Sequence, residues 1–477
     1  MVFLPENLPK APPRPRKKPE EGGAISIKLP EGNSEGHVGM DRPKEGPSGQ
    51  EMPEAELKRR ERIAKTLRWA AQADESYALL VQQRKIASGL EGSKARNDLA
   101  TIEAMSAGQE ISRKALGDEE GGSVNVVTKR VYEGREGKVL GFAKSALGDP
   151  SFYLNEKGMV RRVRTAQEDG SPKTSEDVYL DVSDGFERSV VEVFKKKIAE
   201  FPKRREEIAA AYGISPEEVH LDPEDFGPRE GIPVGDSAVR EWGASRVDSI
   251  LGLNVVPPVA LRSESGGADM VSVQEGVKAY GGELSTMAKS EFDAIARDGA
   301  RHPMAESMMR MAVLDYLIKS SDRHPRNLMS SSGGRTLSAI DNGLSFGLSK
   351  KTNDGKVVPV DEFRSLPMEA SQSYNQWARS RGGEEWKLDA ISHKALSDVL
   401  EEWKKAKSGG EIGPAVRTLS QVFRVVYGEN VAISKVEVRQ FFDRLEHVVA
   451  NGRPPDMKIG NGPGELLPMS QNVGLYG

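Results

Sequence analysis

The sequence predicts an α+β protein in which a small β-containing part precedes a larger, mainly helical part. Three observations carry this reading. Between Gly117 and Leu147, the strand-like runs VNVVTKRVY and KVLGFAKSA flank the turn EGREG and predict a hairpin. Two further short strands, in VVPPVALR and ADMVSVQEGV, follow before residue 280. Long runs of strong helix formers lie on either side, and residues 281–450 read as mostly helical.

Taken in chain order, residues 1–50 are rich in Pro, Gly, Lys and Glu and poor in apolar side chains. They predict a disordered arm, because little apolar burial offsets the chain entropy. Residues 51–116 predict a helical extension of two or three helices, since AELKRRERIAKTLRWAAQADESYALLVQQRKIA holds neither proline nor glycine. Ile63, Leu67, Ala70 and Ala71 recur there at three- and four-residue spacing, which predicts packing on a neighbour. Residues 117–280 hold the strands and a polar insertion at 151–185. FERSVVEVFKKKIAEFPKRREEIAAAY reads as helix, broken near Pro202. AVREWGASRVDSILG carries helical spacing at Val239, Ala244, Val247 and Leu251. MAESMMRMAVLDYLIKSS reads as a buried helix, and LSAIDNGLSFG holds another short strand. Residues 451–477 predict a flexible tail, and no internal repeat is visible.

The 477 residues are 37% hydrophobic and 29% charged with a net charge of −4, so bulk charge gives no support to nucleic-acid binding. The absence of cysteine excludes a disulfide scaffold, cysteine-ligated zinc, a thiol nucleophile and S-palmitoylation. No run approaches the roughly 18 apolar residues of a membrane helix, and the first residues lack an apolar signal core. The expectation is a soluble, cytoplasmic protein with no integral membrane part. The basic runs KRRER (58–62) and KKKIAEFPKRR (195–205) read as solvated helix faces in preference to anionic-lipid contacts.

The chemistry concentrates in Asp322-Arg323-His324-Pro325-Arg326-Asn327 and in Ala339-Ile340-Asp341-Asn342-Gly343. Phosphoryl transfer needs a carboxylate to orient or deprotonate the acceptor hydroxyl, and oxygen ligands that hold Mg²⁺ against the phosphates. Asp322 and Asn327 stand five residues apart after a buried helix, and Asp341 follows fourteen residues later, beyond a turn containing Gly333-Gly334. One carboxylate and one amide oxygen, from Asp341 and Asn327, suit a hard cation and leave positions for phosphate and water.

DYLIKSSDRHPRNLM and SAIDNGLSFG resemble the catalytic and metal-binding motifs of the phosphatidylinositol 3-/4-kinase superfamily, closest to the type II phosphatidylinositol 4-kinases. The pattern D-x-x-x-x-N-x-D-R-x-x-x-N is met with Ser321 in place of the usual Thr or Leu, and with Lys319-Ser320 where the family often has Gly-Asn. REGIPVG followed by AVREWGA, and the hinge-like strand MVSVQEGV, extend the resemblance over about residues 115–405. It implies a two-lobed, protein-kinase-like fold that binds ATP and Mg²⁺. It assigns catalysis to Asp322 and the metal to Asn327 and Asp341. Lys144 becomes the strand lysine facing the α/β-phosphates, although Ala143 separates it from Phe142 and no proline follows; Lys129 and Lys138 are its rivals. Glu241 is its ion-pair partner. Gly121, Gly122 and Ser123 would cover the phosphates, and the backbone near Gln274, Glu275 and Val277 would hold adenine. His324 is carried as a catalytic candidate beside a second reading, hydrogen bonding within the loop. Arg323 is read as forming an internal salt bridge, and Asp315 as a buried anchor of the loop. The resemblance implies γ-phosphate transfer to a hydroxyl of a protein or a phosphoinositide. The alternatives are a pseudokinase or nucleotide-binding scaffold acting through partners, and adenylyl transfer. Residues 51–116 are the expected partner-binding segment.

Overall fold

The computed structural model describes residues 54–88, 93–115, 127–145, 152–154, 160–162, 199–200, 202–219, 236–264, 267, 269–276, 285–286, 289–330, 337–351, 357–359, 365–428 and 430–456. The expected arm, most of the 151–185 insertion, the 121–123 loop, Val277 and the tail beyond 456 lie outside these residues.

The helical extension ends in a strand. Helix α1 (Glu54–Ser88) and helix α2 (Ser93–Ala107) are followed by β1 (Gln109–Ala115), where helix was expected to continue to 116. Gly108 makes the joint: its N–H donates to Ala104 O at 2.9 Å, and a Cβ there would stand 2.2 Å from Ala104 O and 2.7 Å from Glu133 O. Local propensity does not select β1; cross-strand pairing does. Glu110 and Arg113 of β1 join Arg130 and Glu264 in one charged cluster, in which buried Arg130 donates to Glu264.

The predicted hairpin is β2 (Val127–Gly134) and β3 (Gly137–Ser145), turned by Arg135-Glu136 with Gly137 at φ 123°. A minor hairpin follows, of β4 (Phe152–Leu154) and β5 (Val160–Arg162). The expected strands near 260 and 270 are β6 (Val259–Glu264) and β7 (Asp269–Glu275). They complete a five-stranded antiparallel sheet of order β1-β2-β3-β7-β6.

The two faces of this sheet differ. Ala143, Tyr132, Ala260, Val271 and Val273 form a dry layer closed by Met105 of α2. Gly141 keeps that layer tight, since a Cβ on it would meet Val273 Cγ1 at 2.6 Å. The opposite parity of β3 places Phe142 and Lys144 on the other, partly open face, paired with Gln274 and Ser272 of β7.

The described helices continue with α3 at 202–212, α4 (Ser237–Leu251), α5 (Lys289–Asp298), α6 (Ala305–Ile318), α7 (Leu366–Ser380), α8 (Ala390–Lys407), α9 (Pro414–Tyr427) and α10 (Val431–Asn451). Among them lie β8 (Ser285–Thr286), β9 (Leu328–Ser330) and β10 (Leu337–Ala339), which form a small sheet, and the pair β11 (Ser349–Lys351) and β12 (Val357–Pro359). Helix α6 is buried almost throughout, as its apolar sequence predicts. So is α4, against which β6, β7, α9 and α8 all pack.

Helix α1 buries Ile63, Ala70, Ala73, Tyr77 and Leu80, with Leu67 packed against the core; of the four positions expected, Ala71 is the one that is exposed. Helix α1 packs chiefly on the chain's own α9 and also meets β6. Arg246 of α4 donates to Asp74 of α1 at 2.6 Å and lies against the rings of Tyr77 and Trp242; Arg84 donates to Ile250 O at 2.8 Å. Trp69 of α1 is faced by Lys65 and by Arg424 of α9. The neighbour that the apolar spacing of α1 predicts is therefore the chain's own core. Lys58 and Arg62 of the first basic run are solvated, but Arg204 of the second is buried and donates to Glu207. Among the described residues, no helix is long and apolar enough to cross a membrane.

Candidate active site

The site grows from the end of α6. Lys319 turns left-handed (φ 54°, ψ 51°) and ends the helix, and the N–H groups of Lys319 and Ser320 both donate to Asp315 O. A short loop carries Asp322 and Arg323. Pro325 then opens a single 3₁₀ turn closed by Asn327 N–H on His324 O, and the chain enters β9. β9 pairs with β10, Ala339 opposite Leu328, and Ile340 N–H donates to Asn327 O at 3.0 Å. This hairpin sets Asn327 and Asp341 side by side despite their separation in sequence.

Arg323 locks the arrangement from beneath. Its guanidinium donates to both oxygens of Asp315 at 3.2–3.3 Å, to Ile340 O at 2.7 Å, to Asn327 O at 3.3 Å and to Asn342 Oδ1. Burial pushes the Asp315 carboxyl above its ordinary range, opposed by the Arg323 charge and by hydrogen bonds that include Ser365 Oγ–H at 2.7 Å. The internal salt bridge and the buried anchor expected of these two residues are both present. Asn342 and Ser365 are additional members. Asn342 was visible in the Asp-Asn-Gly triplet but reads there as a turn residue; Ser365 has no local signal, being thirty-eight residues beyond Asn327.

Asn327 donates its Nδ2–H to Asp322 O at 2.8 Å, which turns its carboxamide oxygen the other way. Asp341 holds a left-handed backbone (φ 55°), a conformation non-glycine residues seldom adopt outside functional sites. Gly343 lets the start of α4 approach, with Ser237 Cβ only 3.0 Å from where its Cβ would be.

Lys144 Nζ stands 2.8 Å from Asp341 Oδ1, joining the open face of the sheet to the β10 arm; its side chain is 18% exposed and that of Asp341 40%. Burial raises the Asp341 carboxyl, but the Lys144 charge and hydrogen bond outweigh it and hold the group below the ordinary carboxylate range. Glu241 is buried on α4. Burial pushes its carboxyl up, with the Asp341 charge adding, against the pull of Lys144 and of the Asn342 backbone N–H. Its Oε1 has no hydrogen-bond partner among the described residues. Lys144 thus ion-pairs with Asp341 and also acts electrostatically on Glu241, the partner the resemblance implied. The rivals Lys129 and Lys138 are exposed. Lys138 is six residues back at the hairpin tip, roughly 20 Å along the strand.

His324 is half exposed, with Nε2 3.9 Å from Asp322 Oδ2, too long for the loop hydrogen bond considered for its side chain. Its backbone N–H does bond within the loop, to Asp322 O at 2.9 Å. Gln274 and Glu275 lie at the end of β7, beside β3. The Glu275 N–H donates to Pro258 O and the Gly276 N–H to Leu140 O, each at 2.8 Å. Val277, Gly121, Gly122 and Ser123 fall outside the described residues.

Among the described residues, no three His, Cys, Asp or Glu side chains cluster into a metal cage. One carboxylate and one amide oxygen suit a hard cation that completes its shell with phosphate and water. No curated protein matches the chain. Residues 219–386, the stretch that holds Glu241, Asp322, Asn327 and Asp341, match the family model for phosphatidylinositol 3- and 4-kinase, which supports that superfamily for this part of the chain.

Proposed function

We propose that the protein is an ATP- and Mg²⁺-dependent kinase of two-lobed architecture, which transfers the γ-phosphate to a hydroxyl of a protein or phosphoinositide acceptor. The observation that carries this is the Lys144–Asp341 ion pair, made between a strand of the five-stranded sheet and the arm beside Asn327 and Asp322. Asn327 and Asp341 would hold Mg²⁺, which supplies charge neutralisation on the phosphate oxygens. Lys144 lies in reach of phosphates in the same cleft, and Glu241 fixes its place by charge. Asp322 orients the acceptor hydroxyl and takes its proton as the new O–P bond forms. The bond between the γ-phosphorus and the bridging oxygen breaks, and its electron pair leaves with ADP. His324, exposed at the mouth of the loop, is assigned to acceptor contact.

Incubation with γ-labelled ATP and Mg²⁺, alone and with phosphoinositide vesicles, tests the reading. Label on the chain marks a protein acceptor, and label in the lipid fraction marks a phosphoinositide. Asp322→Asn is expected to lower kcat about 10²–10⁴-fold with little change in KM for ATP. Asp341→Ala should abolish the Mg²⁺-dependent rise in Tm with ATP. Absence of label in every fraction, or label only from α-labelled ATP, sinks the kinase assignment.

A further inference from the structure

A second junction ties the catalytic arms to residues outside the stretch that matches the family model, Tyr212 and Glu437. Glu437 of α10 is buried and accepts from Lys319 Nζ at 2.6 Å. The same ammonium donates to Ser349 Oγ at 3.1 Å, and Tyr212 of α3 donates its hydroxyl to Glu437 while accepting the Ser349 N–H at 2.7 Å. All four residues are at most 5% exposed. Lys319 is the residue at which α6 turns into the Asp322 loop, and Ser349 lies eight residues beyond Asp341. Two backbone contacts reinforce the junction: Arg444 of α10 donates to Leu317 O at 2.9 Å, and Phe346 N–H donates to Ile318 O at 2.6 Å.

The placement of Lys319 is informative. Its φ of 54° is a conformation that favours glycine, and the fully buried ammonium must be desolvated. Glycine would end the helix with less backbone strain. The lysine is accounted for by what its side chain reaches, the carboxylate of Glu437 and the hydroxyl of Ser349. A buried ion pair contributes little net stability compared with an apolar pair, but it fixes geometry through directed hydrogen bonds.

We propose that Lys319 and Glu437 are positioning residues, which use α10 to set the separation between the Asp322–Asn327 arm and the Asp341 arm. The proposal rests on the kinase reading for its effect on rate. The Lys319→Met/Glu437→Leu double variant removes both charges and strands neither. It is expected to unfold cooperatively with Tm at or above the parent's. Its amides at 319–328 and 341–349 should nonetheless exchange with solvent about 10-fold faster, by local opening. Its kcat should fall about 10-fold or more while KM for ATP stays within about 2-fold, as expected when reacting groups are misplaced but binding is kept. Unchanged exchange overturns the proposal, and so does faster exchange with unchanged kcat. Should the double variant fail to fold, Ser349→Ala removes the side-chain link from Lys319 to the Asp341 arm, leaves the Ser349 N–H on Tyr212, and must still speed exchange at 341–349. A parent without turnover of labelled ATP defeats the kinase reading, while the exchange measurement still decides whether the junction holds the arms.

Discussion

Charged groups stand at three places around the site, two of them buried, and each is matched differently. Arg323 has Asp315 and three backbone or amide oxygens, so its guanidinium is close to saturated. Asp341 has Lys144. Lys319 is the exception in its proton affinity. Burial lowers its amine from the ordinary 10.5 to about 8; Glu437 opposes this, and Arg444 and Arg240 add to it. The unfolded lysine keeps its proton up to about 10.5 and the folded one gives it up from about 8. Between those values the unfolded chain binds more protons, so this residue makes stability rise with pH, and below about 8 its full penalty is present. Denaturant titrations at about pH 8 and 10 should show the parent gaining on the order of 2 kcal/mol relative to the Lys319→Met/Glu437→Leu variant. A constant difference between the two would exclude the effect. Residues of this kind were partly legible. Asp315 and Arg323 stand in a recognisable local pattern, whereas Glu437 looks like any helix-face acid until the fold brings it beneath residue 319.

At the scale of elements, α4 carries Glu241 and α1 holds α4. Arg246 is fully buried with Asp74 as its ion-pair partner, so Asp74→Ala leaves a guanidinium without a counter-charge. The expected loss is about 3 kcal/mol, read as a lower urea midpoint, with Asp74→Glu retaining most of the stability. The hairpin β2–β3 was visible in the sequence because a glycine-bearing turn separates two alternating runs. The strand β1 was not, because QEISRKA becomes a strand through Arg130 and Glu264, residues far along the chain. The misassignment of Ala71 to the α1 stripe has a similar origin. Alanines at 70 and 71 are equivalent to any periodicity, and only contact with the core separates them. Lys144 was preferred over Lys129 and Lys138 by resemblance; in the fold, its ion pair with Asp341 distinguishes it, and Lys138 sits at the hairpin tip.

For the whole molecule, the stretch matching the family model is not a self-contained core. Residues 219–386 include α4 and α6, whose buried faces meet α1, α9 and α10, and the β6–β7 pair, whose neighbour β3 precedes residue 219. A fragment limited to 219–386 is therefore expected to lack cooperative thermal unfolding by circular dichroism, while the full chain unfolds cooperatively. The motif residues of the site were legible because helix, loop and hairpin bring them together over a short span. The contacts by which other elements support them were not, because those elements come from both ends of the chain. Among the described residues, four non-glycine residues adopt left-handed backbones, and three of them, Lys319, Asp341 and Phe346, belong to the two arms of the cleft. Laboratory selection for heat tolerance would meet its easiest gains at these torsions, where relaxing the main chain raises the melting point. The same relaxation would loosen the cleft, so variants improved in the oven should be the ones that slow at the bench.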